Sequence, residues 1–96
     1  MLQFHVAVCD DEPFAASSIS GAAERALSRL GAQTDIEVFG SVGALARRMD
    51  DVAFDLLLLD IEMPGQDGIS FGRALRELGA RTEIVFVSNS EDRVFE

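Results

Sequence analysis

The stretch Phe54-Asp55-Leu56-Leu57-Leu58-Leu59-Asp60 decides the fold. It is the most continuous apolar run in the chain, and it closes on an acid. A run apolar at nearly every position is buried on both faces, which describes a central strand of a parallel sheet with helices above and below. Upstream, Ser41 is placed to cap a helix whose apolar face is Val42, Leu45, Ala46 and Met49. Before that, Asp35-Ile36-Glu37-Val38-Phe39 alternates polar and apolar, as a strand at a sheet edge does.

Further out the same alternation of elements continues. His5-Val6-Ala7-Val8-Cys9 reads as a first strand. A long amphipathic helix starts at Pro13, with Ala15, Ile19, Ala22, Ala23, Ala26, Leu27 and Leu30 at helical spacing before Gly31. Downstream, residues 62–68 are dense in turn formers. Phe71, Ala74, Leu75 and Leu78 then give a third helix ending at Gly79. Glu83-Ile84-Val85-Phe86-Val87-Ser88 is a fourth strand, and Ser90 is placed to cap a helix opened by Glu91 and Asp92. Strand and helix in strict alternation imply right-handed crossovers and an α/β fold.

Three acids fall at the carboxyl ends of two strands: Asp10 and Asp11 after the first, Asp60 after the third. In open α/β sheets that edge is where ligands bind, so these acids and Ser88 converge on one pocket. Two unit charges about 4 Å apart at an effective dielectric of ~20 repel by roughly 4 kcal/mol. All 8 basic residues are arginine, so no lysine offsets this. A divalent metal is the simplest remedy, and an all-oxygen donor set points to Mg²⁺.

Composition narrows the function. Ninety-six residues with 48% hydrophobic content suit one domain with no linker. A net charge of −9 argues against direct binding to nucleic acid or to an anionic membrane, and favours partners with basic or neutral surfaces. Cys9 is the single cysteine. Inside an apolar strand it reads as a small buried hydrophobe in a reducing, cytoplasmic setting. No segment reaches the ~20 apolar residues of a membrane span, and the first residues do not form a secretory signal.

Cys9-Asp10-Asp11-Glu12-Pro13, Asp60-Ile61-Glu62-Met63-Pro64-Gly65-Gln66-Asp67-Gly68 and Val85-Phe86-Val87-Ser88 together resemble the receiver domain of two-component response regulators. The resemblance covers the whole chain. It implies a flavodoxin-like doubly wound sheet of order 2-1-3-4, with the family's fifth strand and last helix missing from residues 1–96. It also implies that Asp60 is the phosphoacceptor, charged by a histidine kinase. Asp10, Asp11, Asp60 and the backbone carbonyl of Glu62 would hold Mg²⁺, and the Ser88 hydroxyl would meet a phosphoryl oxygen.

The opening motif and the tract Val87–Glu96 look most like receivers joined to a LytTR-type DNA-binding domain. The family's fifth strand carries a lysine that pairs with the phosphoryl group, and this chain has none. Without that strand, Ile84 to Val87 would leave an apolar sheet edge, for which self-association or exchange of the terminal segment is expected. Two other functions compete. A receiver used only for protein association is one. The other is a haloacid-dehalogenase-like phosphatase, to which Leu56-Leu57-Leu58-Leu59-Asp60-Ile61-Glu62 is loosely similar, although Glu62 stands where that family has a second aspartate.

Overall fold

The computed structural model describes residues 2–61, 63, 68–77 and 82–87. Its elements run β1 (Leu2–Cys9), α1 (Pro13–Arg29), β2 (Ala32–Phe39), α2 (Val42–Met49), β3 (Leu56–Asp60), α3 (Gly68–Glu77) and β4 (Glu83–Val87). The four strands form one parallel sheet of order β2-β1-β3-β4. This is the doubly wound architecture expected from the alternation. The helix opening expected from Ser90 lies outside the described residues.

The apolar run earns its central place through both faces of the sheet. Leu57 and Leu59 point to one side with Ala7, Cys9, Leu45, Phe54 and Met63, where α2 and α3 pack. Leu58 points to the other with Val6, Val8 and Ala16, under α1. Leu45, Leu57, Leu59, Val6, Val8 and Cys9 are fully buried. Burying one such leucine or valine contributes about 1.5–3 kcal/mol. Asp55, the acid inside the run, is used at the strand's entry: its carboxylate accepts the His5 amide at 2.8 Å, and its own amide donates to the His5 carbonyl at 2.8 Å.

Local signals set the helix ends. Ser41 Oγ accepts the Ala44 amide at 3.1 Å, as its position predicts. Helix α1 is capped by Glu12, whose carboxylate accepts the amides of Phe14 and Ala15 at 3.2 and 2.8 Å. Pro13 opens the helix behind it. Gly31 follows the helix with φ of 80°, a left-handed conformation that side chains resist.

Two strands are longer than the pattern predicts. Strand β1 begins at Leu2 and β2 at Ala32, because their first residues pair with each other from Leu2↔Ala32 onward. Strand β3 begins later than expected, at Leu56. Phe54 precedes it and is buried against Phe39, ring to ring at 6.0 Å.

His5, which shows no partner in the sequence, lies within β1. Its Nε2 is 2.7 Å from Glu37 Oε2 on β2, and its ring meets Phe54 edge-on at 4.6 Å. A carboxylate only accepts, so the proton sits on that nitrogen. Arg48 of α2 donates to the same carboxylate from Nε at 2.9 Å and Nη2 at 3.2 Å. Arg48, exposed on the helix surface, thus ties α2 to the sheet edge.

The Arg48 hydrogen bonds hold the Glu37 carboxyl below its ordinary value of 4.5, aided by His5 and opposed by desolvation. A carboxyl lowered on folding adds stability above its unfolded pKa and loses it as pH falls through the folded one. In urea melts from about pH 5 downward, Glu37→Gln is expected to lose stability less steeply than the parent chain. Equal slopes would show that this network contributes nothing.

Candidate functional site

Register brings the acids together. Cys9 pairs with Leu59 across β1 and β3, so the next residues, Asp10 and Asp60, stand level at the carboxyl ends of adjacent strands. One carboxylate oxygen from each of Asp10, Asp11 and Asp60 lies within 4.8 Å of the others. Asp10 and Asp60 are buried, at 3% and 4% exposure, and Asp11 is exposed. The cluster is a cup with two acids in its floor and one on its rim.

Backbone hydrogen bonds from the neighbouring strands hold the floor. The Asp10 amide donates to the Phe39 carbonyl at 2.9 Å, and the Ile61 amide donates to the Val87 carbonyl at 3.1 Å. Asp10 Oδ1 accepts the Glu12 amide at 2.9 Å, which fixes one of its oxygens. A division of labour follows: Glu12 caps the helix, which leaves Asp10 and Asp11 aimed at the cup. Glu12 is the residue of this site that the sequence does not reveal, because three consecutive acids offer no sign of which one caps.

Of the remaining expected site residues, Ser88 and Glu62 lie outside the described residues, as do Pro64, Gly65 and Asp67. Met63 is described. It is buried at 3% exposure within the cluster under α2 and α3, in the core just beyond Asp60. Cys9, directly before Asp10, is fully buried. Burial, and then the negative charges of Asp10, Asp60 and Asp11, push its thiol up to about 11. It is an inert wall of the site.

This ordered set of strand-end acids on a 2-1-3-4 parallel sheet has a counterpart among known proteins. Residues 6–95 match the response regulator receiver domain. The chain belongs to that family. The receiver's relatives include a protein-glutamate methylesterase/protein-glutamine glutaminase of Rhodopseudomonas palustris, 40% identical over 67 residues, which are 67% of this chain and 18% of that protein. The two-component response regulator ARR22 of Arabidopsis thaliana is 37% identical over 54 residues, covering 56% of this chain and 38% of that protein. The chain thus spans well under half the length of these relatives.

Among solved structures, the signal receiver domain of NarL from Mycobacterium tuberculosis superposes on the receiver with a TM-score of 0.70 at 26% identity, over 97% of this chain and 72% of that one. The receiver domain is a regulatory module of two-component systems, and the dehalogenase likeness of residues 56–62 falls away with that assignment. No helix among the described residues is long and apolar enough to cross a membrane.

The receiver's acid cluster is a local source of instability. At an effective dielectric of ~20, two charges 4.8 Å apart repel by about 3.5 kcal/mol. With divalent cations removed by EDTA, Asp11→Asn, which changes only the exposed acid, is expected to raise the melting temperature by several degrees. An unchanged or lowered melting temperature by circular dichroism would mean that the three charges do not strain the fold.

Proposed function

We propose that this receiver takes a phosphoryl group onto Asp60 from the phosphohistidine of a histidine kinase, with Mg²⁺ held by the acid cluster. The observation that carries the reading is the convergence of Asp10, Asp11 and Asp60 at the ends of β1 and β3. The donor set suits the ion. Mg²⁺ is held by few carboxylates together with waters and phosphate oxygens, rather than by a closed protein cage. Two buried acids with a third exposed beside them are such a partial set. Asp11 and Asp10 would hold the ion, with Asp60 and the Glu62 carbonyl completing the protein ligands. When bound, it supplies positive charge opposite the phosphoryl oxygens.

The chain's own residues do the rest. A carboxylate oxygen of Asp60 attacks phosphorus, and the new P–O bond forms as the P–N bond to the donor imidazole breaks. The electron pair of that bond leaves with the imidazole nitrogen, and the ring, protonated on its other nitrogen, departs neutral. Asp60 is left as an acyl phosphate. Its burial at 4% exposure screens the acyl carbon from bulk water. The Glu12 amide holds one oxygen of Asp10 in place. Ser88 would donate its hydroxyl to a phosphoryl oxygen and so couple the phosphorylated state to a partner-binding face. With a net charge of −9, the receiver itself is not the part of a regulator that contacts nucleic acid.

A single experiment tests this reading. Incubation with acetyl phosphate and Mg²⁺, followed by intact-mass and peptide mass spectrometry, is expected to add one phosphoryl group at Asp60. The adduct should vanish with EDTA and in Asp60→Asn. Absence of any adduct on the parent chain, with Mg²⁺ present and the fold intact, would contradict the reading.

A further inference from the structure

Asp10 does not hold its direction in the cup unaided. Its Oδ1 accepts the Glu12 amide at 2.9 Å, so the carboxylate follows wherever the backbone of residue 12 is held. The start of α1 holds it. Pro13, the first helical residue, has no N–H to satisfy, and the three donors that follow all end on Glu12. The amides of Phe14 and Ala15 donate to its carboxylate at 3.2 and 2.8 Å, and the Ala16 amide donates to its carbonyl at 3.0 Å. One residue thus joins two sets of hydrogen bonds, the cap of the helix and the support of a buried acid.

Glu12 itself stays out of the cup. The carboxylate oxygens that gather there belong to Asp10, Asp11 and Asp60, whereas the exposed carboxylate of Glu12 is turned onto the helix. Its negative charge is set against the positive end of α1. Any effect of Glu12 on an ion in the cup, beyond that of its charge, therefore passes through Asp10.

We propose that Glu12 is a positioning residue of the cation site: its cap on α1 fixes the amide that fixes Asp10, and the cup binds a divalent cation more tightly as a result. The inference rests on the reading of the cup as a Mg²⁺ site. With the cap removed, the turn between β1 and α1 takes up several conformations, and only those that return the residue 12 amide to Asp10 present its carboxylate to the ion. A ligand that fits a fraction of the population binds more weakly by that fraction. Loss of an N-cap of typical strength shifts such a balance about fivefold, which sets the most that the site can lose. The coupling is reciprocal, so an ion in the cup tightens the first turn of α1 by the same factor. Occupancy of the cup is thereby carried to the surface, since Phe14 on that turn is 83% exposed.

Two substitutions of equal charge test this. Glu12→Ala removes the cap and Glu12→Asn replaces it with a strong one, while both remove the same carboxylate. With Mn²⁺ as the probe and the free ion followed by electron paramagnetic resonance, Glu12→Ala is expected to bind about two- to fivefold more weakly than Glu12→Asn. Gly31→Ala supplies the control for stability alone. Gly31 has φ of 80° with nothing within 4 Å of an added Cβ, so alanine there strains only the backbone. It follows the opposite end of the 17-residue helix, about 25 Å from Glu12. That change should lower the melting temperature and leave the Mn²⁺ affinity as it is.

Amide exchange tests the coupling with no substitution at all. Saturating Mg²⁺ should slow exchange of the Phe14 and Ala15 amides in the parent chain by a larger factor than that of Gly31, whose amide donates to the Ser28 carbonyl. Equal affinities of Glu12→Ala and Glu12→Asn overturn the proposal. So does an equal loss of affinity in Gly31→Ala, or exchange at Phe14 and Ala15 that does not respond to Mg²⁺. If the parent chain binds no Mn²⁺, the cup is not a cation site, and the reading beneath the proposal falls together with it.

Discussion

Mutual repulsion among three carboxylates is the constraint on which the rest of the structure turns. Asp10 and Asp60 cannot separate, because Cys9 and Leu59 pair in the sheet one residue before them. Asp11 follows on the same turn, ahead of the Glu12 cap. A repulsion of about 3.5 kcal/mol between the two buried acids, Asp10 and Asp60, is comparable to the burial of one or two leucines. Leu57 and Leu59 on one face, with Val6 and Val8 on the other, supply more than that and belong to the two strands that carry the acids. The core thus holds the charges in a place they would leave if free, and a site so strained gains from any cation that enters it.

The fold was legible because the apolar run and the alternating edge strand are opposite extremes of burial pattern. Residues 57–60 are buried on both faces, whereas Asp35 to Val38 alternates polar and apolar. Strand order followed from the family resemblance and not from these patterns. Strand ends were less legible: the extra residues of β1 and β2 are held by pairing with each other, a non-local cause absent from either segment alone. The capping role of Glu12 and the His5–Glu37–Arg48 network were hidden for the same reason. His5 and Glu37 are 32 residues apart, and only strand register makes them neighbours.

The candidate site was legible as a set of strand-end acids, since topology alone sends those ends to one rim. What the pattern does not carry is the unequal burial of its members. Asp10 and Asp60 lie in the floor and Asp11 on the rim, and that difference separates a cup open to a hydrated ion from a closed cage. Cys9, one residue before Asp10, is fully buried, and that burial together with the acids' charges raises its thiol to about 11.

The central claim is that the three acids act as one cation site. Its most direct measurement is paramagnetic broadening by substoichiometric Mn²⁺ in the amide spectrum of the ¹⁵N-labelled chain. The account predicts broadening confined to the amides around residues 9–12 and 59–61, reversed by excess Mg²⁺. Broadening centred instead on another acidic stretch, such as Asp50 and Asp51, or none that Mg²⁺ reverses, would contradict it.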